Sequence, residues 1–270
     1  QLGVDGATFS RFIYSAPILM IVAPLWFGYS GYPIVTDNFF IFSAIGGISQ
    51  ILATLCVIAL FKQRNFAVGI AFKKTETLQI AVISLVILGE KVSINALCAI
   101  CIGFVGLVLL SKQPLKRSFL EEGVLSRSVF LGLLSGFLFA ISGVYYRAST
   151  LNVLDESSIN RAIFTLTFVL VFQVISMGGW LLLFNRRELK AVWKVRSVAI
   201  WVGLTSLAGS FCWFWAFSLV NAALVKAVGQ IELLFSILAS IVLFKEKITG
   251  RELVGIFTVM VSLIGVIALG

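Results

Sequence analysis

The chain has 270 residues, of which 60% are hydrophobic and only 12% are charged, with a formal net charge of +9. Soluble domains carry about 25% charged residues, so this composition excludes an ordinary soluble globular protein. The sequence has no histidine, which removes the commonest general base near neutral pH. It also lacks a phosphate-binding glycine loop and a zinc-protease motif. These absences argue against an enzyme or an ATP-driven pump, and no cofactor or metal is expected.

Apolar runs of about 20 residues recur along the whole chain, and each is long enough to cross a bilayer as a helix. They predict an all-α, polytopic membrane helix bundle with about nine visible helices. In chain order the predicted spans are Phe9 to Trp26, Asn38 to Phe61, Asn65 to Leu88, Asn95 to Leu110, Ser128 to Tyr146, Ile159 to Phe184, Val198 to Leu219, Asn221 to Phe244 and Leu253 to Leu269.

The chain also repeats itself. Phe61 to Leu78 aligns without a gap on Phe217 to Leu234, which pairs Asn65 with Asn221 and Glu76 with Glu232, and the register extends to a Glu-Lys pair in each half. The predicted domains are a first repeat (1–111), a connecting loop (112–127) and a second repeat (128–270). The second repeat has five spans and the first has four, so a further helix is expected before Gln1, giving ten. Because five is odd, the two repeats are expected to be inverted relative to each other.

Basic residues collect in the loops on one side of the predicted membrane. By the positive-inside rule this side is cytoplasmic and the C-terminus is outside. The net charge suits basic loops that face an anionic cytoplasmic leaflet and need not imply nucleic acid, which is not expected as a partner. These loop residues are Lys62, Arg64, Lys112, Lys116, Arg117, Arg127, Arg186, Arg187, Lys190, Lys194, Arg196, Lys245, Lys247 and Arg251.

Two carboxylates lie near the middle of predicted spans. Glu76 is about 17 Å along its helix from Asn65, and Glu232 occupies the matching position in the second repeat. A charge at this depth is costly and normally faces the bundle interior or a watery cavity. Lys73 shares a helix face with Glu76, whereas Lys74 points nearly opposite. The two acids therefore predict a central site that responds to protons or substrate, although internal ion pairs are an equally good interpretation.

Other polar and aromatic residues are candidates for the same site. Lys226 and Gln230 share a helix face that is turned away from Glu232, and with Lys73 and Lys74 they are candidates to hold an anionic or zwitterionic substrate. Two tryptophans are candidates for the walls of a binding cavity, and the alternative for them is packing against lipid or other helices. Two paired arginines near helix starts are candidates for a gate or for binding a substrate anion, and the alternative for them is contact with lipid headgroups. They are Trp213, Trp215, Arg11 and Arg161.

Two short motifs favour structural interpretations. Cys98 and Cys101 form a CxxC pair, but a single pair on a membrane helix without histidine is a weak metal or redox signal. Gly132 and Gly136 form a GxxxG motif, which indicates close contact with another helix.

The segments TETLQIAVISLVILGEKVS and IELLFSILASIVLFKEKIT, with a glycine-rich helix after each, resemble the EamA-type branch of the drug/metabolite transporter superfamily. The resemblance covers essentially the whole chain. It implies ten helices in inverted repeats, proton-coupled or exchange transport, and both termini in the cytoplasm, which differs from the charge count. The family commonly has proline after the midmembrane glutamate. Thr77 and Leu233 stand there, so the sequence does not support a broken helix at this site, and each span is drawn as a single helix.

The expected function is secondary transport by alternating access, most simply export of an amino acid or another small anionic or zwitterionic metabolite. A flippase for lipids or lipid-linked sugars is the alternative within transport, and a structural membrane subunit is the alternative from another class. The expected partners are the small-molecule substrate, membrane lipids and protons, and a homodimer is left open. The expected location is the bacterial inner membrane.

Overall fold

The computed structural model of the chain describes residues 2–63, 66–110, 127–244 and 249–269. The described chain is helical apart from one short antiparallel pair, β1 (Ile34–Val35) and β2 (Val153–Leu154). The helices are α1 (Val4–Ile13), α2 (Ala16–Ser30), α3 (Asn38–Phe61), α4 (Phe66–Lys73), α5 (Glu76–Leu88), α6 (Ile94–Leu110), α7 (Arg127–Leu151), α8 (Ser158–Phe184), α9 (Arg186–Lys194), α10 (Arg196–Leu219), α11 (Ala222–Val228), α12 (Ile231–Phe244) and α13 (Gly250–Leu269).

Six stretches of the described chain are long and apolar enough to cross a membrane: α1 together with α2, then α3, α7, α8, α10 and α13. Helix α6 is also apolar but shorter. Large hydrophobic side chains are exposed along these helices, which suits surfaces that face lipid. The protein is therefore an all-α, polytopic membrane bundle, as the composition predicts.

The predicted spans correspond in order to these helices, but three of them are not continuous. The predicted span from Phe9 to Trp26 is divided into α1 and α2 at Tyr14 and Ser15. The predicted span from Asn65 to Leu88 is divided into α4 and α5, and the predicted span from Asn221 to Phe244 is divided into α11 and α12. The expectation of continuous helices was wrong because a helix can break without proline.

Tight turns replace regular α-helical hydrogen bonds at the two breaks that precede Glu76 and Glu232. At the first, the Thr75 N–H donates to the Phe72 carbonyl at 3.1 Å, and the Thr75 hydroxyl donates to the same oxygen at 2.7 Å. At the second, the Gln230 N–H donates to the Ala227 carbonyl at 3.1 Å, directly after Gly229. A threonine side chain that bonds to the preceding turn, and a glycine with low helix propensity, both favour such interruptions.

The region 185–197, predicted as a polar connection, contains helix α9. It was missed because it has no apolar run of membrane length. The predicted connecting loop, apart from Arg127, lies outside the described residues. Three of the basic loop residues, Arg64, Lys245 and Lys247, also lie outside them, as does Glu246 of the second Glu-Lys pair.

The described chain forms two compact units. The first comprises residues 1–59 and 141–220, and the second comprises residues 60–140 and 221–270. Each unit thus contains residues from both predicted repeats.

The first unit contains α1 to α3, the C-terminal part of α7, and α8 to α10. Its β1–β2 pair aligns Ile34 with Leu154. Aromatic residues fill part of its core: the buried Phe27 ring lies 5.8 Å from Phe164, and Phe164 lies 5.5 Å from Phe39. This packing holds α2, α3 and α8 together.

The second unit contains α4 to α6, the N-terminal part of α7, and α11 to α13. Helices α6 and α13 approach so closely that a Cβ added to Gly106 would lie 3.0 Å from the backbone nitrogen of Val259. The Ser262 hydroxyl donates to the Ala99 carbonyl across this contact at 2.7 Å. Ala99 also packs against Ala227 of α11, so this helix pair supports the second break.

Candidate functional site

Both candidate acids lie at the start of a half-helix. Glu76 is the first residue of α5, and Glu232 is the second residue of α12. The N-terminus of a helix carries a partial positive charge and leaves backbone N–H groups without intrahelical partners, and both features stabilise a nearby carboxylate. The breaks thus give the acids an environment that the middle of a continuous helix would not.

The GxxxG motif positions the first break. A Cβ on Gly136 would lie 2.9 Å from the Lys73 carbonyl oxygen, and a Cβ on Gly132 would contact the Gly69 backbone. The predicted close helix contact is therefore present, and its partner is α4. Phe139 lies one turn after Gly136, and its ring centre is 4.8 Å from the Lys73 ammonium. The motif thus brings an aromatic face to the lysine, where a cation–π contact stabilises the charge.

Glu76 is paired with two lysines. Its Oε2 lies 3.0 Å from the Lys73 Nζ, and its Oε1 lies 2.7 Å from the Lys226 Nζ. The glutamate is only 6% exposed. Burial of an ion pair is costly unless the geometry is good, and two cations on one carboxylate compensate for this cost better than one. The predicted pairing of Lys73 with Glu76 is confirmed, whereas Lys226 comes from a helix about 150 residues away in sequence.

Glu232 has a different environment. Its Oε1 lies 2.7 Å from the Lys74 Nζ, and the Glu232 side chain is 60% exposed whereas that of Lys74 is 16% exposed. Lys74 does point away from Glu76, as predicted, and the structure gives it the other glutamate as its partner. The two acids are related by the predicted repeat but are not equivalent in exposure.

Two glutamine side chains lie close in sequence to the two helix breaks. The Gln230 Nε2 donates to the Thr77 hydroxyl in the first turn of α5, and the Gln79 Nε2 donates to the Thr75 hydroxyl at 2.8 Å. The side-chain oxygens of Gln230 and Gln79 are buried and have no hydrogen-bond partner among the described residues. Because buried acceptors are normally satisfied, these two oxygens are available to a bound polar molecule or water.

We refer to Lys73, Lys74, Glu76, Lys226, Gln230 and Glu232 as the acid–lysine cluster. It contains three ammonium groups and two carboxylates, which leaves one surplus positive charge when all five are ionised. All six residues belong to the second unit, and all six are candidates from the sequence.

A model of the EamA-like transporter family matches residues 126–268, just over half of the 270 residues. The chain belongs to the EamA-like transporter family. The protein is thus a transporter of the drug/metabolite transporter superfamily, and this family is not an enzymatic one.

A solved structure described as "Crystal structure of protein" is similar to this transporter over 100% of its length and 90% of that chain, with 13% sequence identity and a TM-score of 0.70. At this identity the similarity shows the fold alone. None of the curated proteins matches the sequence.

The other four candidates of this transporter lie in the first unit, each with a contact there. The Arg11 Nε donates to the Ser206 hydroxyl at 2.6 Å, and the Arg161 Nη2 donates to the Ser218 carbonyl at 3.1 Å. The remaining contacts are the Trp215 Nε1 donating to the Ser158 hydroxyl at 3.0 Å and the Trp213 ring 5.9 Å from that of Phe217.

Two residues that sequence reasoning missed contribute to these sites. Phe139 could have been found from its position three residues after Gly136, on the same helix face. Arg147 gave no such signal: its Nη1 donates to the Phe217 carbonyl in the last turn of α10 at 2.7 Å. Cations near the C-terminus of a helix complement its dipole, so Arg147 and Arg161 together stabilise the end of α10.

Cys98 and Cys101 are both exposed, free cysteines on α6. Among the described residues, no group of three or more His, Cys, Asp or Glu side chains could hold a metal ion.

Proposed function

We propose that this protein is a secondary transporter, working by alternating access, that exports a small zwitterionic or anionic metabolite such as an amino acid from bacterial cells. The observation that carries the proposal is the contrast between the two carboxylates of the acid–lysine cluster. Glu76 is buried between two lysines, whereas Glu232 is mostly exposed and pairs with Lys74.

Glu76 is suited to a fixed role. Removal of its carboxylate from Lys73 and Lys226 would leave uncompensated charges in a largely buried place, which costs several kcal/mol. We therefore assign to Glu76 the organisation of the lysines, not the exchange of partners.

Glu232 is suited to exchange. The Glu232 carboxylate is the exposed partner of its pair with Lys74, so a substrate can reach it and separate it from one lysine, whereas Glu76 would have to leave two. A zwitterionic amino acid placed between them would direct its carboxylate to Lys74 and its ammonium to Glu232. The surplus positive charge of the cluster and the buried amide oxygens of Gln79 and Gln230 favour the same class of solute.

This arrangement provides a route to proton coupling. A proton on Glu232 removes the negative charge that would bind the substrate ammonium, so proton and substrate compete for one group. Competition of this kind is what proton-driven export requires, because an entering proton displaces the substrate to the outside. We propose Glu232 as the coupling residue and Lys74 as the residue that binds the substrate carboxylate.

The test is a flux screen of the purified chain in proteoliposomes with amino acids, nucleosides and sugar phosphates, each with and without a pH gradient. We expect flux of an amino acid that the gradient stimulates. The Glu232→Gln variant should lose the stimulation and Lys74→Gln should weaken substrate binding about tenfold or more, whereas Glu156→Gln, at an exposed acid, should behave as the unmodified protein.

Two results would overturn the proposal. Folded protein that moves none of these solutes would contradict the substrate class. A Glu76→Gln and Glu232→Gln double variant with unchanged flux and unchanged response to the gradient would exclude a transport role for the cluster, and would favour the structural interpretation of its ion pairs.

A further inference from the structure

Helix α9 has a basic, exposed face that the proposed transport function does not use. The helix lies between α8 and α10, which are both long enough to cross the membrane. Nine residues of mostly polar sequence cannot cross a bilayer, so α9 lies where the chain turns at the membrane surface. The basic residues of this turn are all exposed: Arg186, Arg187, Lys190, Lys194 and Arg196.

The opposite face of α9 is fixed to the rest of the first unit. Val192 is buried, and its carbonyl accepts a hydrogen bond from the Tyr14 hydroxyl at 2.9 Å. The Glu188 carboxylate accepts from the Gly3 N–H at 2.9 Å. Glu188 is the one acidic residue between positions 185 and 197, and it faces α1, so it does not neutralise the exposed basic side chains.

An aromatic side chain completes the exposed face. Trp193 is 66% exposed, and the Arg196 guanidinium lies 5.3 Å from the centre of its ring. Tryptophan prefers the headgroup level of a membrane. A helix with basic residues and an exposed tryptophan on one face is the pattern of segments that lie in the membrane interface.

We infer that α9 is a binding surface for anionic phospholipid headgroups, with Arg187 and Lys190 as the principal phosphate contacts. These two residues are three positions apart and therefore adjacent on the helix. Arg186 is partly committed elsewhere, since its Nε donates to the Leu182 carbonyl at 2.7 Å. The occupant is a lipid of the adjoining leaflet because α9 is held at that surface by the two spans that flank it.

The inference is tested with the full chain in a neutral detergent, titrated with phosphatidylglycerol or phosphatidylcholine. The readouts are the thermal unfolding midpoint and the number of lipids retained in native mass spectrometry. We expect phosphatidylglycerol to raise the midpoint and remain bound, and phosphatidylcholine to do neither. Each basic residue near a surface contributes about 1 kcal/mol to anionic lipid binding, so an Arg187→Gln and Lys190→Gln double variant should bind phosphatidylglycerol roughly 30-fold more weakly.

The matched control removes two positive charges elsewhere. Lys62 and Lys91 are exposed and lie in loops outside α9, and a Lys62→Gln and Lys91→Gln variant should keep the full response. Equal binding of phosphatidylglycerol by the α9 variant and the unmodified protein would overturn the inference. So would an equal response to both lipids, or a midpoint shift by inorganic phosphate as large as that by the lipid, which would indicate a soluble anion instead.

A second measurement keeps the inference falsifiable if the double variant does not fold. Brominated phosphatidylglycerol should quench the Trp193 fluorescence, obtained as the difference from a Trp193→Phe variant, more strongly than brominated phosphatidylcholine. Raising the salt concentration about fivefold from 0.1 M should reduce this preference, because salt screens surface charges. Equal quenching by the two lipids would contradict the assignment.

Discussion

The Glu76 carboxylate and the Lys226 ammonium lie 2.7 Å apart and connect the two helix breaks of the second unit. Glu76 begins α5, and Lys226 lies in the last turn of α11. Because Lys73 contacts the other oxygen of the same carboxylate, this one buried acid holds cations from both broken spans. The geometry of the cluster therefore depends on Glu76 more than on Glu232.

The first prediction concerns the relative stability of variants at the two acids. Glu76→Gln should lower the free energy of unfolding by about 3 kcal/mol, because it leaves two lysines largely buried without their carboxylate. Glu232→Gln should lower it by less, about 1 to 2 kcal/mol, because it leaves one largely buried lysine instead of two and the removed carboxylate is itself mostly exposed. Denaturant titration of both variants in one detergent measures the difference.

A double-mutant cycle isolates the pair itself. The Glu76→Gln and Lys226→Met double variant should lose less free energy of unfolding than the two single variants lose in sum. The difference should be at least about 1 kcal/mol, since residues in contact are coupled. Strictly additive costs would show that Glu76 and Lys226 do not interact.

The second prediction concerns the approach of α7 to α4. Gly136→Ala should destabilise the protein by about 1 to 3 kcal/mol, because the new Cβ would lie 2.9 Å from the Lys73 carbonyl oxygen and a backbone atom cannot easily move. Gly209→Ala is the matched control, since that helical glycine has no neighbouring atom within 4 Å. The control should be neutral or stabilising by up to about 1 kcal/mol. Thermal unfolding distinguishes them, and an equal response would argue against the contact.

The third prediction concerns a buried polar network in the first unit. The Tyr146 hydroxyl donates to the Gln50 Oε1 at 2.8 Å, and the Gln173 Nε2 donates to the same oxygen at 2.8 Å. Tyr146→Phe should cost about 1 to 2 kcal/mol of stability, because a hydrogen bond is lost in a buried place. Tyr29→Phe, at a side chain that is 95% exposed, should cost almost nothing. If both changes had the same effect, the network would contribute no net stability.

The fourth prediction concerns the end of α10. Arg147→Met should destabilise the protein by about 2 kcal/mol, because the Phe217 carbonyl loses a charged donor and keeps only the longer 3.4 Å bond from Thr150. Arg147→Lys should restore part of this loss by retaining the charge. Arg127→Met, at the exposed opposite end of the same helix, is the control. Unfolding midpoints that are equal for the Arg147 and Arg127 variants would count against this role.

Much of the fold could be predicted from local patterns. Apolar run length determines which segments can cross a bilayer, and the predicted bounds of α3, Asn38 to Phe61, are those of the structure. Spacing on a single helix also predicted the pairing of Lys73 with Glu76, since residues three apart share a face. The GxxxG motif also predicted a close helix contact, because two small residues one turn apart expose the helix backbone.

Only the tertiary structure decided which partners these local features have. Three lysines and two glutamates allow several pairings, and the helix period alone could not choose Lys226 for Glu76 or Lys74 for Glu232. The breaks at Thr75 and Gly229 were also missed, because they arise from tight turns and not from proline. Spacing along one helix describes a single face, whereas an ion pair between helices depends on how those faces are brought together by packing that involves residues far apart in sequence.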